Sequence, residues 1–296
     1  MTEPLVIIDK PTAWMLAARP RTLPAAISPI LLSQSLALAS PDFSFFLALL
    51  ILICALSLQV AVNIANDLFD FQNGVDDPER LGPPRAALSG WLSPGELKRG
   101  LLLTLLIALI SGAGLVACGG WLFAGLGIAS IAAALAYSAG PLPLASNALG
   151  EITVFLFFGL LAVLGSYYLQ DPQLPAAAWI AAVQMGSLTA AIMLVNNLRD
   201  IPTDRRAGKR TLAVLLGPER SRRLYYLLLI IPFVLLAFDG STHTSLAWLA
   251  LLPAIALIRM LSDRQGRVLN RQLAQTALLC LAFAVLRSLD IWISML

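Results

Sequence analysis

The sequence predicts an all-α membrane protein of about nine transmembrane helices, and three observations carry that reading. Of 296 residues, 58% are hydrophobic and 12% charged, with a mean hydropathy of +0.81. Soluble domains carry about 25% charged residues, so a surface this poor in charge must face lipid. The apolar residues gather into runs near the roughly 20 residues needed to cross a hydrocarbon core: 22–39, 43–66, 100–118, 121–137, 151–169, 176–198, 224–238, 244–261 and 273–294. Finally, the basic residues collect in alternate loops between these runs.

The first run follows Lys10, Arg19 and Arg21, and its end, Leu36 to Ser40, resembles a signal-peptidase site. Eight further spans, with Pro24 and Pro29 inside the run, favour an uncleaved first helix. With the N-terminus in the cytoplasm, four loops face inward; the one at residues 138–148 is uncharged, and the other three are basic. These three hold Arg80, Arg85, Lys98 and Arg99 after the second span, eight basic residues from Arg199 to Arg223 after the sixth, and Arg259, Arg264, Arg267 and Arg271 after the eighth. The loops around Asp42, Gly119–Gly120, Gln170–Pro175 and Asp239–His243 contain no Lys or Arg. An outward C-terminus follows. In the last span Arg287 precedes Asp290 by three residues, a spacing that allows an ion pair.

The net charge of +3 comes from 20 basic and 17 acidic residues, most of them in these loops, so it is no nucleic-acid footprint. Cys54, Cys118 and Cys280 are far apart and His243 is the single histidine, which supports neither a disulfide framework nor a zinc or haem site.

Polar residues recur at two places. The second span runs into Asn63, Asn66, Asp67, Asp70, Asn73, Gly74, Asp76 and Asp77, where helical spacing puts Asn66 with Asp70, Asn63 with Asp67, and Asp67 with Asp70 on one face. The sixth ends in Asn196, Asp200 and Asp204 at four-residue steps, with Pro202 a candidate helix stop between the two acids. Clustered carboxylates beside a bilayer repel one another and are costly to desolvate unless a cation sits among them. Carboxylate and amide oxygens without thiolate or imidazole suit a hard ion such as Mg²⁺, which commonly bridges protein carboxylates to phosphates. With Arg199, Arg205, Arg206, Lys209 and Arg210 beside them, the clusters read as a diphosphate site. An ordinary solvated helix end with an Asn-Gly turn is the plainer alternative for the first, and topology signals or lipid contacts for the basic residues. The separation of the clusters hints at a four-helix repeat, spans 1–4 and 5–8 plus a ninth, within one domain over residues 1–296.

These residues resemble the UbiA superfamily of intramembrane aromatic prenyltransferases. The resemblance rests on Asn66-Asp67-x-x-Asp70 after the second helix and Asp200-x-x-x-Asp204 after the sixth. It extends through Arg19-Pro-Arg-Thr near the start, Arg80 and Arg85, Gly150-Glu151, Asn196-Asn197-x-Arg199-Asp200 and Gly208-Lys209. Within the superfamily the chain is similar to the branch acting on 1,4-dihydroxy-2-naphthoate in menaquinone synthesis. Relatives with other acceptors place an acid four residues after the second Asp; here that position is Gly74, and Asp76 follows it.

The resemblance implies helices around a central cavity, and transfer of a polyprenyl group from polyprenyl diphosphate to the naphthoate with loss of CO₂, giving demethylmenaquinol. Asn66, Asp70, Asp76, Asp200 and Asp204 would hold Mg²⁺, with Mn²⁺ as a substitute; which of Asp67, Asp70 and Asp76 touch the metal stays open. Asp70, Asp200, Asp204 and Lys209 would carry catalysis. Asn66, Asp67, Arg21, Arg80, Arg85, Tyr137, Asn197 and Lys209 would contact substrate, and Glu151 would help orient ligands. The site would face the cytoplasm from a bacterial inner membrane, with membrane lipid as the other partner. Tyr137 also fits an interfacial aromatic belt. The alternatives are another acceptor, 4-hydroxybenzoate or homogentisate, and an ion-coupled transporter, although carriers place such acids near the midplane.

Overall fold

The computed structural model describes residues 8–74, 81–140, 143–238, 245–262 and 264–296. Among them there is no strand. A short helix, α1 (Lys10–Ala18), precedes α2 (Pro24–Ala37), α3 (Phe45–Gln72), α4 (Pro94–Gly119), α5 (Trp121–Ala136), α6 (Gly150–Tyr168), α7 (Ala176–Arg206), α8 (Leu212–Phe238), α9 (Leu251–Leu261) and α10 (Leu269–Ser294). Each expected span overlaps one of α2 to α10, the eighth only in part, since Leu246–Ala250 before α9 is 3-10 helix. Six of these, α3, α4, α6, α7, α8 and α10, are long and apolar enough to cross a membrane unaided; α2, α5 and α9 are shorter.

Local chemistry sets several ends. Ser44 caps α3, and Ser93 with Glu96 forms a reciprocal capping box on α4, where Pro94 takes the first turn. Lys10 pairs with Glu96 at 2.7 Å and ties α1 to that end. Gly217, at φ 75°, breaks α8 just before Pro218. The candidate stop at Pro202 does not act: α7 continues to Arg206 and carries both acids of its motif on one helix. Proline removes one hydrogen bond and crowds the preceding turn, but does not compel a break where tertiary packing holds the helix. The Asp290 carboxylate accepts from the Leu246 backbone N–H at 2.8 Å and from the Ser245 hydroxyl, satisfying the entry to α9.

α7 is the axis of the solid half, packed by α2, α6, α8 and α10. Of its most apolar window 78% is buried, against 17% in α4. Its contact with α6 is as close as backbones permit: a Cβ on Gly159 would lie 2.5 Å from the Gly186 Cα and 2.8 Å from the Ala182 carbonyl oxygen. There α6 widens into a π-helix over Phe155–Gly165, a form that clusters at functional sites. On the other side α3, α4 and α5 form a looser layer, with α5 resting on α3 and α4.

Candidate active site

Between that layer and α2, α6 and α7 lies a cavity of about 620 Å³. Its two ends differ in chemistry. Where α3 and α7 stop it is lined by Asn66, Asp70, Arg85, Asn196, Asp200, Asp204 and Lys209; toward the opposite end Ile51, Leu115, Phe123, Phe157, Phe158 and Leu169 form the wall.

Both acid motifs reach the polar end because each lies on the last turns of a long helix. Asp70 meets Arg85 Nη2 at 2.6 Å, with both side chains largely buried. Asp200 accepts from Arg199 at two atoms, Nε at 2.7 Å and Nη2 at 2.5 Å, the fork geometry natural to guanidinium and carboxylate. Arg199, 2% exposed, also donates to Asn196 Oδ1 at 2.9 Å and Asn270 Oδ1 at 2.7 Å. Asp204 lies 3.8 Å from Lys209 Nζ. The turn beyond α7 is closed by two backbone bonds, Lys209 N–H to the Asp204 carbonyl and Arg210 N–H to the Ser146 carbonyl, which hold Lys209 against the cavity.

Tyr137 and Asn197 also line the cavity. The Tyr137 hydroxyl donates to Met193 Sδ at 3.0 Å, and Asn197 donates to buried Glu151 at 2.9 Å. Two other sequence candidates lie elsewhere. The Asp67 carboxylate, 2% exposed, turns from the cavity and accepts from the backbone N–H groups of Ala86 and Ala87 at 2.9 and 3.1 Å. It thereby holds the segment that presents Arg85. Arg21 is exposed and faces a different groove, whereas Arg19, two residues earlier, lines the cavity from a left-handed backbone at φ 53°. Asp76 and Arg80 fall outside the described residues. Sequence reasoning left out Arg19, Asn63 and Asn270 as site residues. Asn63 donates to the Ala18 carbonyl at 2.9 Å and fixes the turn on which Arg19 sits.

Among the described residues no three carboxylate, imidazole or thiolate groups converge on one point as a ready cage for a metal. The donor set still fits Mg²⁺. Asn66, Asp70, Asp200 and Asp204 offer hard oxygens around one space, and Mg²⁺ characteristically takes one or two carboxylates and completes its shell with water and phosphate.

Helices long enough to span a bilayer, enclosing a cavity that is charged at one end and apolar along its length, define an integral membrane protein built for an amphipathic ligand. A model of the UbiA prenyltransferase family matches residues 26–284, and the chain belongs to that family. It is 39% identical to the 1,4-dihydroxy-2-naphthoate octaprenyltransferase of Escherichia coli, over 92% of this chain and 89% of that protein. It is 36% identical to the protein of the same name from Haemophilus influenzae, over 99% of this chain and 100% of the other. In fold it is similar to a UbiA homolog from Archaeoglobus fulgidus solved bound to DMAPP and Mg²⁺, with a TM-score of 0.66 and 19% identity over 96% and 99% of the two chains.

Proposed function

We propose that this protein transfers a polyprenyl group from polyprenyl diphosphate to 1,4-dihydroxy-2-naphthoate, with release of diphosphate and CO₂, to give demethylmenaquinol. The observation that carries the reading is the cavity itself, whose charged end fits a diphosphate and whose apolar length fits an isoprenoid. The names of the relatives supply the acceptor.

Asn66, Asp70, Asp200 and Asp204 are the residues that would hold Mg²⁺, with Mn²⁺ as a substitute. Bound there, the metal supplies Lewis-acid neutralisation of the leaving diphosphate. Lys209 and Arg85 contact diphosphate oxygens and stabilise the charge that builds as the allylic C–O bond breaks. The electron pair of that bond leaves with diphosphate. The electron-rich naphthalene ring then attacks the allylic carbon, and the carboxylate departs as CO₂. Phe157, Phe158 and their neighbours exclude the water that would otherwise capture the cation as polyprenol. Tyr137, which lines the cavity, would lie against the prenyl group, and Asn197, held by Glu151, would support the wall beside it. Arg19, rather than Arg21, is the N-terminal arginine placed to meet an anionic substrate.

The charged end faces the cytoplasm of a bacterial inner membrane. The Lys/Arg asymmetry of the loops supports this sidedness. Headgroups enter from the cytoplasm and the prenyl tail from lipid.

The test is product analysis. Purified protein with octaprenyl diphosphate, the naphthoate and Mg²⁺ should yield demethylmenaquinol and CO₂ in equal amounts. Turnover of 4-hydroxybenzoate or homogentisate in its place would move the acceptor assignment, and ion flux in liposomes without any prenyl product would replace the enzyme by a carrier.

A further inference from the structure

Outside the cavity, a second groove opens beside the N-terminus of α10, lined by Arg21, Arg267, Val268, Asn270, Arg271 and Ala274. Arg267 and Arg271 are four residues apart, which stacks like charges on one stretch of chain, and Arg21 adds a third cation from the turn before α2. All three are exposed, and none forms an ion pair with a described carboxylate. The placement opposes the helix field as well: an α-helix N-terminus carries partial positive charge and disfavours cations. Three guanidiniums gathered there are mutually unfavourable until an anion joins them. Arginine forks match phosphate oxygens.

We propose that this groove is a phosphate-binding site separate from the prenyl-transfer cavity, taking the phosphate group of an anionic phospholipid or a free phosphate. Val268, 53% exposed on the rim, gives it an apolar border of the kind a lipid headgroup region meets. Asn270 makes the occupant matter to the rest of the molecule. It lines the groove, donates to the Leu81 carbonyl at 2.8 Å and accepts from Arg199, which grips Asp200. An anion held by Arg267 and Arg271 steadies Asn270 and, through it, the carboxylate end of α7. The inference does not rest on the prenyl-transfer reading.

The experiment measures thermal unfolding of the full chain in a neutral detergent with added phosphatidylglycerol, phosphatidylcholine or inorganic phosphate. Phosphatidylglycerol should raise the midpoint by about 4 °C over phosphatidylcholine, and the rise should vanish in Arg267→Gln/Arg271→Gln while persisting in Arg220→Gln/Arg223→Gln. The same pattern with inorganic phosphate alone would identify free phosphate as the source and still support the site. A rise retained in the first variant, or lost equally in the second, overturns the proposal. Native mass spectrometry of the wild type gives a readout free of any folding defect in the variants: phosphatidylglycerol should outlast phosphatidylcholine on the protein, and equal retention of the two overturns it as well.

Discussion

The two ends of the bundle both bury polar side chains, yet the network around Gln170 is built from neutral groups and the polar end of the cavity from charges. Away from the acid motifs, Gln170 accepts from the Ser44 backbone N–H at 2.9 Å and donates to Gln34 at 2.8 Å and to the Ser44 carbonyl at 3.0 Å. Gln34 donates in turn to the Ser166 carbonyl at 3.0 Å. Every partner in that network is internal, so it joins α2, α3 and α6 and has nothing to exchange. At the other end each acid that lines the cavity is matched by a cation: Asp70 by Arg85, Asp200 by Arg199 and Asp204 by Lys209. Those pairs have an alternative. A metal diphosphate offers the carboxylates a cation and the basic groups an anion, so both halves of a pair can be re-partnered without leaving a charge buried alone. A closed neutral network is an anchor, and an open charged one is a site.

Several measurements break or sharpen this contrast. The largest effect should come from removing the metal: EDTA should abolish turnover and added Mg²⁺ restore it, while the unfolding midpoint in substrate-free samples barely moves. Full activity in EDTA would leave the acid end without its proposed purpose. Next, Asp70→Asn and Asp200→Asn should each reduce turnover roughly 10²-fold, since a ligand charge is lost where charge develops in the transition state. Retention of more than about a third of wild-type turnover by either variant, at normal expression, would remove that residue from the set of metal ligands. Lys209→Ala should cost about tenfold in kcat/KM, whereas Arg264→Ala, in a basic loop without an acid motif, should leave it unchanged; equal losses would mean that general positive charge governs activity. The smallest effect on catalysis belongs to the neutral end. Gln170→Leu should leave kcat intact but destabilise the fold by about 1–2 kcal/mol, because the Ser44 and Gln34 groups lose their partner. A kinetic defect there, with stability unchanged, would erase the distinction between anchor and site.

Features set by runs or by helical spacing could be read from the chain, and features set by long-range rotation could not. The apolar runs located α2 to α10, and four-residue steps put Asn66 with Asp70 and Asn196 with Asp200 and Asp204 on shared faces. No periodicity distinguishes Arg19 from Arg21. The choice is made by the left-handed backbone at Arg19 and by Asn63, 45 residues away from the carbonyl it holds at Ala18. Asp67 carries the same chemistry as Asp70 and differs in direction alone, which a segment 19 residues further on decides by offering two backbone N–H groups. Asn270 lies in a stretch without acids, and its partner Arg199 is 71 residues upstream.

The tight crossing of Gly159 and Gly186 governs something on the far side of α6. With no side chain between the two backbones, α6 sits back against α7, and the face carrying Phe157, Phe158 and Leu161 stands that much farther from α5. A single methyl at Gly159 has nowhere to go but to shift the helix inward, so Gly159→Ala should lower the longest prenyl chain turned over in a farnesyl-to-octaprenyl series while Lys209 and the acids stay in place. That outcome would mean that substrate length is gauged from behind, by hydrogens that leave room where any larger group would fill it; an unchanged product range would mean that it is not.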